Sequence, residues 1–78
     1  MMARRESGYD FIGPSILNIL KNSTMPMTKL AVSYMVNQKS GKIVNISVVK
    51  RNLDMFVKNN KVTVDVNKLN GIASYTII

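Results

Sequence analysis

The sequence predicts a small α+β domain in which three helices precede a two-stranded β-hairpin. Three observations predict this fold. Apolar residues recur at helical spacing in three separate segments between Pro14 and Val57. Residues 62–66 then alternate strictly between apolar and polar side chains, which is typical of a half-buried strand. Asn70-Gly71 follows as a turn signal, so a second strand is expected after it.

The first helix is expected to begin at Gly13-Pro14, because proline lacks the N–H group that would be unpaired at the first helical position. Ile12 and Leu17 occupy the positions of a hydrophobic staple. The helix is expected to end at residues 22–24. Its expected buried face consists of Ile16, Leu17, Ile19 and Leu20.

The second helix is expected from Lys29 to Val36, with Thr28 as its N-cap residue. Residues 25–27 before it are expected to be extended, since proline disfavours the helical conformation of the residue that precedes it. Residues 37–41 are interpreted as a polar break, and residues 42–44 are compatible with a short extended piece. The predicted apolar stripe consists of Leu30, Ala31, Tyr34 and Met35.

The third helix has the clearest pattern and is expected over about residues 46–59. Asn45 is a favourable N-cap residue, and Asn59-Asn60 ends the segment. Its apolar residues recur at spacings of three, four, three and one, which places them on one helical face. They are Ile46, Val49, Leu53, Phe56 and Val57.

The register of the hairpin follows if Asn70-Gly71 forms a two-residue turn, in which both residues need a positive φ. The predicted cross-strand pairs are Leu69–Ile72, Val66–Tyr75 and Val64–Ile77. This register puts Val64, Val66, Tyr75 and Ile77 on one face. It puts Thr63, Asp65, Ser74 and Thr76 on the other.

The composition is that of one folded domain. The chain has 78 residues, and its hydrophobic fraction of 46% argues against a disordered basic tail. Residues 1–8 are polar and basic and are expected to form a flexible arm, which leaves residues 9–78 as the domain. No apolar run approaches the ~20 residues of a membrane span, and no targeting signal is evident. We therefore expect no membrane partner. We expect the protein to be cytoplasmic and, in a prokaryote, associated with the nucleoid.

The charge balance indicates an anionic partner. Eleven Lys and Arg residues against four Asp and Glu give a net charge of +7 and a pI of about 10.1. The chain has no cysteine and no histidine. Its acidic residues Glu6, Asp10, Asp54 and Asp65 are scattered, whereas acid–base catalysis and metal sites need grouped side chains. The sequence therefore predicts a non-enzymatic protein with no catalytic residue, metal site or cofactor.

The aromatic residues are candidates for the core. They are Tyr9, Phe11, Tyr34, Phe56 and Tyr75. They do not form the exposed row that stacks on single-stranded nucleic acid. This pattern disfavours RNA and single-stranded DNA as the partner.

The order of the elements resembles the winged helix-turn-helix family. Residues 26–31 are similar to the family's usual entry into its second helix, and residues 45–53 resemble the start of its recognition helix. Residues 59–62 are similar to the step from that helix into the hairpin, which is the family's wing. Residues 9–12 resemble the opening of small archaeal regulators of this type. The resemblance extends to the end of the chain.

The resemblance implies a double-stranded DNA-binding protein that regulates transcription. The third helix would enter the major groove, and the wing would lie on the backbone or in the minor groove. Lys68 and Asn70 at the wing tip would then be DNA contacts. Members often act as dimers on palindromic sites, and a homodimer here would use the first helix, the arm or the wing. The stretch 37–45 is longer than the family's usual tight turn, which leaves the angle between the second and third helices undetermined.

The face of the third helix opposite its apolar face is the main candidate site. It consists of Ser47, Val48, Arg51, Met55 and Lys58. Arg51 suits guanine or phosphate, and Ser47 near the helix start suits phosphate. Val48 and Met55 suit thymine methyl groups, and Lys58 would reach the backbone.

Further candidates lie beside this face and elsewhere in the chain. Lys50 and Asn52 flank it. Lys29 and Lys42 would position phosphates. The expected contacts from the arm are Arg4 and Arg5, which would enter a minor groove.

Three other interpretations stay open. A winged-helix protein–protein interaction module would use Val48, Met55 and Leu69 as exposed apolar contacts. A DNA replication or recombination accessory factor fits the same size and charge. A merely solvated basic face fits too, and Asp54 beside this face would repel phosphate.

Overall fold

A computed structural model describes residues 11–78. They form three helices and three strands: α1 (Ile12–Lys21), β1 (Met27–Thr28), α2 (Lys29–Ser40), α3 (Ile46–Lys58), β2 (Val62–Val66) and β3 (Ala73–Ile77). The expectations for the arm at residues 1–8, including Arg4 and Arg5, and for Tyr9 lie outside the described residues.

The predicted order of helix, short extended segment, two helices and hairpin is confirmed. The sheet has one strand more than the predicted hairpin. Met27 pairs antiparallel with Tyr75 and Thr28 with Ser74, so the strand order is β1-β3-β2. The segment after α1 is thus tied to the last strand of the chain, and the hairpin is joined to the helices through its second strand.

Helix α1 begins at Ile12, one residue before the predicted start. The predicted staple is therefore wrong, because Ile12 is itself a helical residue buried in the core. Pro14 is the third helical residue, where its missing N–H is equally harmless since the first four N–H groups of a helix have no partner within it. The predicted buried face is confirmed for Ile16, Ile19 and Leu20, and Leu17 is partly buried.

The start of α2 is confirmed, but its end is not. The Thr28 hydroxyl oxygen accepts a hydrogen bond from the Ala31 N–H at 3.2 Å, as expected of an N-cap. The helix continues to Ser40 and ends at Gly41, which has a φ of 70°. The predicted polar break is wrong because those residues form the last turn of the helix. Residues 42–44 form no strand, and the loop to α3 is reduced to residues 41–45.

The buried face of α2 also differs from the prediction. Its buried residues are Val32, Ser33 and Val36. Leu30 and Tyr34 from the predicted stripe are 68% and 62% exposed, so Tyr34 is not a core residue. Apolar side chains lie around the whole circumference of this helix, and periodicity therefore cannot select one face. The packing of α1 and α3 against it makes the selection.

Helix α3 follows the prediction closely. Asn45 Oδ1 accepts hydrogen bonds from the Ser47 N–H at 2.9 Å and the Ser47 hydroxyl at 2.8 Å. Of its predicted apolar face, three residues are buried and two are partly exposed at the edges. The buried ones are Val49, Leu53 and Phe56, and the partly exposed ones are Ile46 and Val57.

A tight turn joins α3 to the wing. Asn60 has a φ of 62°, and its N–H donates to the Val57 carbonyl at 3.1 Å. The Lys61 N–H donates to the Phe56 carbonyl at 2.8 Å. These two bonds form a Schellman motif with asparagine in the left-handed position. The turn sets β2 directly after the helix.

The hairpin register differs from the prediction by two residues. The observed pairs include Val62–Ile77, Val64–Tyr75 and Val66–Ala73. The Asn67 N–H donates to the Ile72 carbonyl at 2.9 Å, so four residues form the loop instead of two. Gly71 has a φ of 72°, but Asn70 has no positive φ, and the predicted two-residue turn does not form. A slip of two residues keeps every side chain on its face, so the predicted faces are confirmed.

The core lies where the three helices meet the base of the hairpin. Its buried apolar residues come from α1, α2, α3 and the loop residue Val44, together with Val62 and Tyr75 of the hairpin. Val66, on the same face of the hairpin, is 54% exposed. The wing therefore packs on the core through Val62 and through Ala73, Tyr75 and Ile77 of β3, whereas Val64 and Val66 of β2 are exposed.

Candidate nucleic-acid interface

The outward face of α3 carries four of the five residues predicted for it. Ser47, Arg51, Met55 and Lys58 are exposed. Val49 and Leu53 are buried on the opposite face of α3. The helical repeat of about 3.6 residues explains why buried and exposed residues alternate along the chain. The four exposed residues form a stripe along the whole 13-residue helix, which is about 20 Å long.

Val48 is the exception, and its predicted place on the outward face is wrong. Its side chain is partly buried against the core, and its carbonyl oxygen accepts a hydrogen bond from Asn52 Nδ2 at 2.9 Å. The start of α1 lies close to this side of α3. A Cβ atom on Gly13 would lie 3.7 Å from Asn52 Oδ1 and 3.5 Å from the Phe56 ring. The exposed arc of α3 is therefore rotated away from Val48 and toward Lys50 and Asp54.

An ion pair occupies one edge of the outward face. Lys50 Nζ lies 2.8 Å from Asp54 Oδ2, one helical turn further along α3. It is the one ion pair that joins two residues of the 11–78 region. The hydrogen bond to Asp54, together with its charge, raises the pKa of Lys50. The pair is exposed and neutral as a whole, so the net positive charge of this helix lies on Arg51 and Lys58.

Tyr75 of β3 connects the wing to this edge. Its side chain is buried, and burial raises the pKa of its hydroxyl; the Asp54 charge raises it further, while the Lys50 charge lowers it. The phenol is therefore neutral in the folded protein at ordinary pH. Tyr75 and Lys50 also line the same groove, so this part of the wing lies on the side of α3 that carries the ion pair.

A groove of about 440 Å³ lies between α2, α3 and the wing. Its lining is mostly apolar, with two ammonium groups beside it. The residues are Thr28, Lys29, Leu30, Lys50, Gly71, Ile72, Ala73 and Tyr75. The groove shows that the start of α2, the outward edge of α3 and the wing share one side of the domain.

The predicted wing contacts, Lys68 and Asn70, are exposed at the tip. Asn70 Oδ1 already accepts a hydrogen bond from the Ile72 N–H at 2.9 Å. The side chain of Asn70 can therefore bind a ligand mainly by donating hydrogen bonds from its amide NH2 group.

The other predicted phosphate-positioning lysines are separated. Lys29 begins α2 and lines the groove. Lys42 follows the other end of that helix, about 18 Å away along its axis. Its Nζ lies 5.6 Å from the centre of the Phe11 ring, which is a cation–π distance. The structure thus joins Lys29, and not Lys42, to the side that carries the groove.

Two features of this side were not predicted. The Lys50–Asp54 pair has the i, i+4 spacing of a helical ion pair, so the sequence contained a signal for it. Leu30 of α2 and Ile72 of the wing line the same groove although 42 positions separate them in the chain, and no local signal in the sequence indicates this.

The part of the chain that the structure describes is strongly basic. Nine basic and two acidic residues lie in region 11–78, which therefore carries the full net charge of +7. Within that region, no three His, Cys, Asp or Glu side chains come together in a way that could hold a metal ion. None of its helices is both long and apolar enough to cross a bilayer. The excess of basic residues in region 11–78 is suited to an anionic partner.

No family model matches the chain, and no curated protein does either. Among solved structures, the fold is similar to that of the Helicobacter pylori ferric uptake regulator Fur, a protein with three functional metal binding sites. The TM-score is 0.80 at 23% sequence identity, and the match covers 94% of this chain and 49% of that one. The chain thus spans about half the length of that regulator. Three helices, a three-stranded antiparallel sheet and this likeness establish that the chain has the α+β winged-helix fold.

Proposed function

We propose that the protein binds double-stranded DNA and acts as a transcription regulator. In this proposal α3 enters the major groove, and the wing lies on the backbone or in the adjacent minor groove. The observation that carries it is the exposed stripe on α3, where Arg51 and Lys58 stand one above the other two turns apart. The likeness to a regulator of the same fold supports it.

The dimensions of α3 fit this role. A major groove about 12 Å wide admits one helix, and the exposed stripe offers a donor, a cation and an apolar side chain in sequence. Ser47 at the start of α3 would contact phosphate, because N–H groups there lack helical partners. Arg51 would reach a guanine edge or a phosphate, and Met55 a thymine methyl group. Lys58 would contact the backbone further along.

The side of the domain that carries the groove extends the proposed DNA-binding surface of α3. Lys29 would contact a phosphate at the start of α2, and Lys68 and Asn70 would do so at the wing tip. Lys50 contributes less than its charge suggests, since Asp54 neutralises it. Any contacts from Arg4 and Arg5 would add to this surface.

A protein–protein interaction module is the second candidate, and exposed apolar residues favour it. Leu30 and Tyr34 are exposed one turn apart on α2, and Met55 is exposed on α3. Apolar patches of this kind mark contact surfaces, including those of a homodimer. A replication or recombination accessory role would use the same DNA surface as a regulator, and mapping the occupied genomic sites separates the two.

The test is a DNA titration of the protein and two charge-matched variants. Fluorescence anisotropy with duplexes selected from random sequence should show binding that weakens steeply as salt rises, because bound lysines and arginines release counterions. Arg51→Ala should lose ~1–3 kcal/mol of binding free energy if Arg51 contacts a base. Lys39→Ala, at the far end of α2, should lose much less.

Absence of duplex binding even at low salt would reject the proposal. A stoichiometric protein complex that survives high salt and loses affinity on Leu30→Ala would favour the interaction module instead.

A further inference from the structure

The tip of the wing carries an apolar side chain that the domain itself does not use. Leu69 is 96% exposed, more than any other large apolar residue of the described chain. It is neither part of the core nor packed against it, whereas Val62, Ala73, Tyr75 and Ile77 of the hairpin are. An isolated exposed leucine is common, so its meaning depends on the loop that holds it.

The loop holds Leu69 in one backbone conformation. Asn67 Oδ1 accepts hydrogen bonds from the Leu69 N–H at 2.8 Å and the Asn70 N–H at 3.3 Å. The Gly71 N–H donates to the Asn67 carbonyl at 2.7 Å, and the Ile72 N–H donates to Asn70 Oδ1 at 2.9 Å. The tip is therefore ordered by its own bonds before any partner arrives, which lowers the entropy lost on binding.

The side chains next to Leu69 offer hydrogen-bond donors to a partner. Lys68 precedes it with an ammonium group, and the side-chain oxygens of Asn67 and Asn70 are both engaged inside the loop. The donors that the side chains of the tip leave free are an ammonium and two amide NH2 groups. Residues 66–78 contain no acidic side chain. An apolar protein pocket would not need this ring of donors, whereas an anionic acceptor surface would.

The minor groove of DNA matches this arrangement. It presents only acceptors at A·T pairs, namely adenine N3 and thymine O2. Proteins that bind there insert Leu, Ile, Met or Phe wedges between base pairs beside Lys, Arg, Asn or Gln contacts. The wing is also placed for it, because Gly71 and Ile72 line the same groove as Lys50 of the helix proposed to enter the neighbouring major groove.

We infer that Leu69 is a wedge that enters the minor groove of an A·T-rich duplex and unstacks one base step. This inference rests on the proposed DNA-binding function. It adds a deformation of the DNA, since unstacking a step from the minor groove kinks the duplex toward the major groove.

The experiment uses duplexes that carry 2-aminopurine at successive positions of a bound site, together with a dye at each end. The wild-type protein should raise 2-aminopurine fluorescence at one step and bring the dyes closer. Leu69→Ala should abolish both signals and bind about tenfold more weakly, since the burial of one leucine side chain is lost. Leu69→Met, which keeps an apolar wedge, should retain both.

Ile43→Ala is the matched control. Ile43 is 91% exposed in the loop between α2 and α3. Its replacement by alanine therefore removes a similar apolar side chain at a position away from the wing. It should unstack and bend DNA like the wild type. Both alanine variants should unfold at the wild-type temperature, because neither residue is packed.

If the wild type binds DNA without unstacking any base step, the inference about Leu69 is wrong and the proposed function stands. The same holds if Leu69→Ala unstacks a base step as well as the wild type does. If the wild type binds no duplex, both fail. Unchanged DNA binding by Leu69→Ala with loss of a protein complex would assign the tip to a protein partner and overturn the inference.

Discussion

Lys50 Nζ and Asp54 Oδ2 lie 2.8 Å apart on the exposed side of α3, and Lys50 lines the same groove as Tyr75. The pair puts a carboxylate next to the surface proposed to bind an anion, and it occupies one of that surface's cations. In the proposed function both effects would oppose DNA binding, and the pair would limit the affinity of the helix for DNA.

Removal of this carboxylate should therefore tighten DNA binding. Asp54→Asn keeps the shape of the side chain, removes its repulsion of phosphate and frees Lys50. We expect about threefold higher affinity at moderate salt, measured by anisotropy. Asp65→Asn is the control, because it removes an exposed acid from the polar face of β2. Equal gains from both variants would show that only net charge matters.

Tyr75 should make the protein sensitive to alkaline pH. Burial, and then the Asp54 charge, raise its folded-state pKa above the ordinary value of 10.0. The unfolded chain therefore loses this proton first. The stability that results is fully present below the unfolded pKa and is lost as the pH rises through the folded one. Lys50, whose pKa is also raised, contributes in the same direction.

Tyr75→Phe tests this dependence, since phenylalanine keeps the ring without an ionisable group. Urea unfolding from about pH 8 to about pH 11 should show a smaller fall in the free energy of unfolding for the variant than for the wild type. Parallel curves for the two proteins would refute the assignment to Tyr75.

The packing of α2 predicts a contrast between two of its apolar residues. Val36 is fully buried, and its replacement by alanine should lower the free energy of unfolding by about 2 kcal/mol through lost burial and the cavity left behind. Leu30→Ala, at an exposed position, should change it by less than about 0.5 kcal/mol. Urea titrations of both variants decide the matter, and a larger loss for Leu30→Ala would mean that the helix is rotated.

The cap of α3 gives a prediction of its own. Asn45→Ala removes the acceptor for the Ser47 N–H and should cost about 1 kcal/mol of stability. Asn59→Ala at the other end of the helix is the matched change, and its side chain caps no N–H group in the described region. Its effect on the unfolding midpoint should be clearly smaller; a cost as large as that of Asn45→Ala would argue against the cap.

Much of the candidate site could be predicted because α3 is strongly amphipathic. Its buried residues lie on one arc, so the opposite arc follows from helical geometry alone. The error at Val48 arises at the border of that arc, where the approach of α1 at Gly13 decides which side is covered. Exposure at such borders depends on a neighbour that the helix's own residues do not reveal.

The wing shows the same division in a strand. Alternation predicted its two faces correctly, since a slip of two residues leaves each side chain on its face. The loop was predicted wrongly because Asn70-Gly71 competes with Asn67, whose side chain and backbone close a longer turn. The turn signals at Asn67 and at Asn70-Gly71 overlap in the chain. Only the folded hairpin shows which of the two turns forms.

The sequence by itself determined the order of the elements, the caps at Thr28 and Asn45 and the buried face of α3, because each depends on residues a few positions apart. Tertiary structure alone decided which face of α2 is buried and that Met27 and Thr28 join the sheet beside β3. Those contacts join segments far apart in the chain, and their free energy exists only once the helices and the wing have packed together.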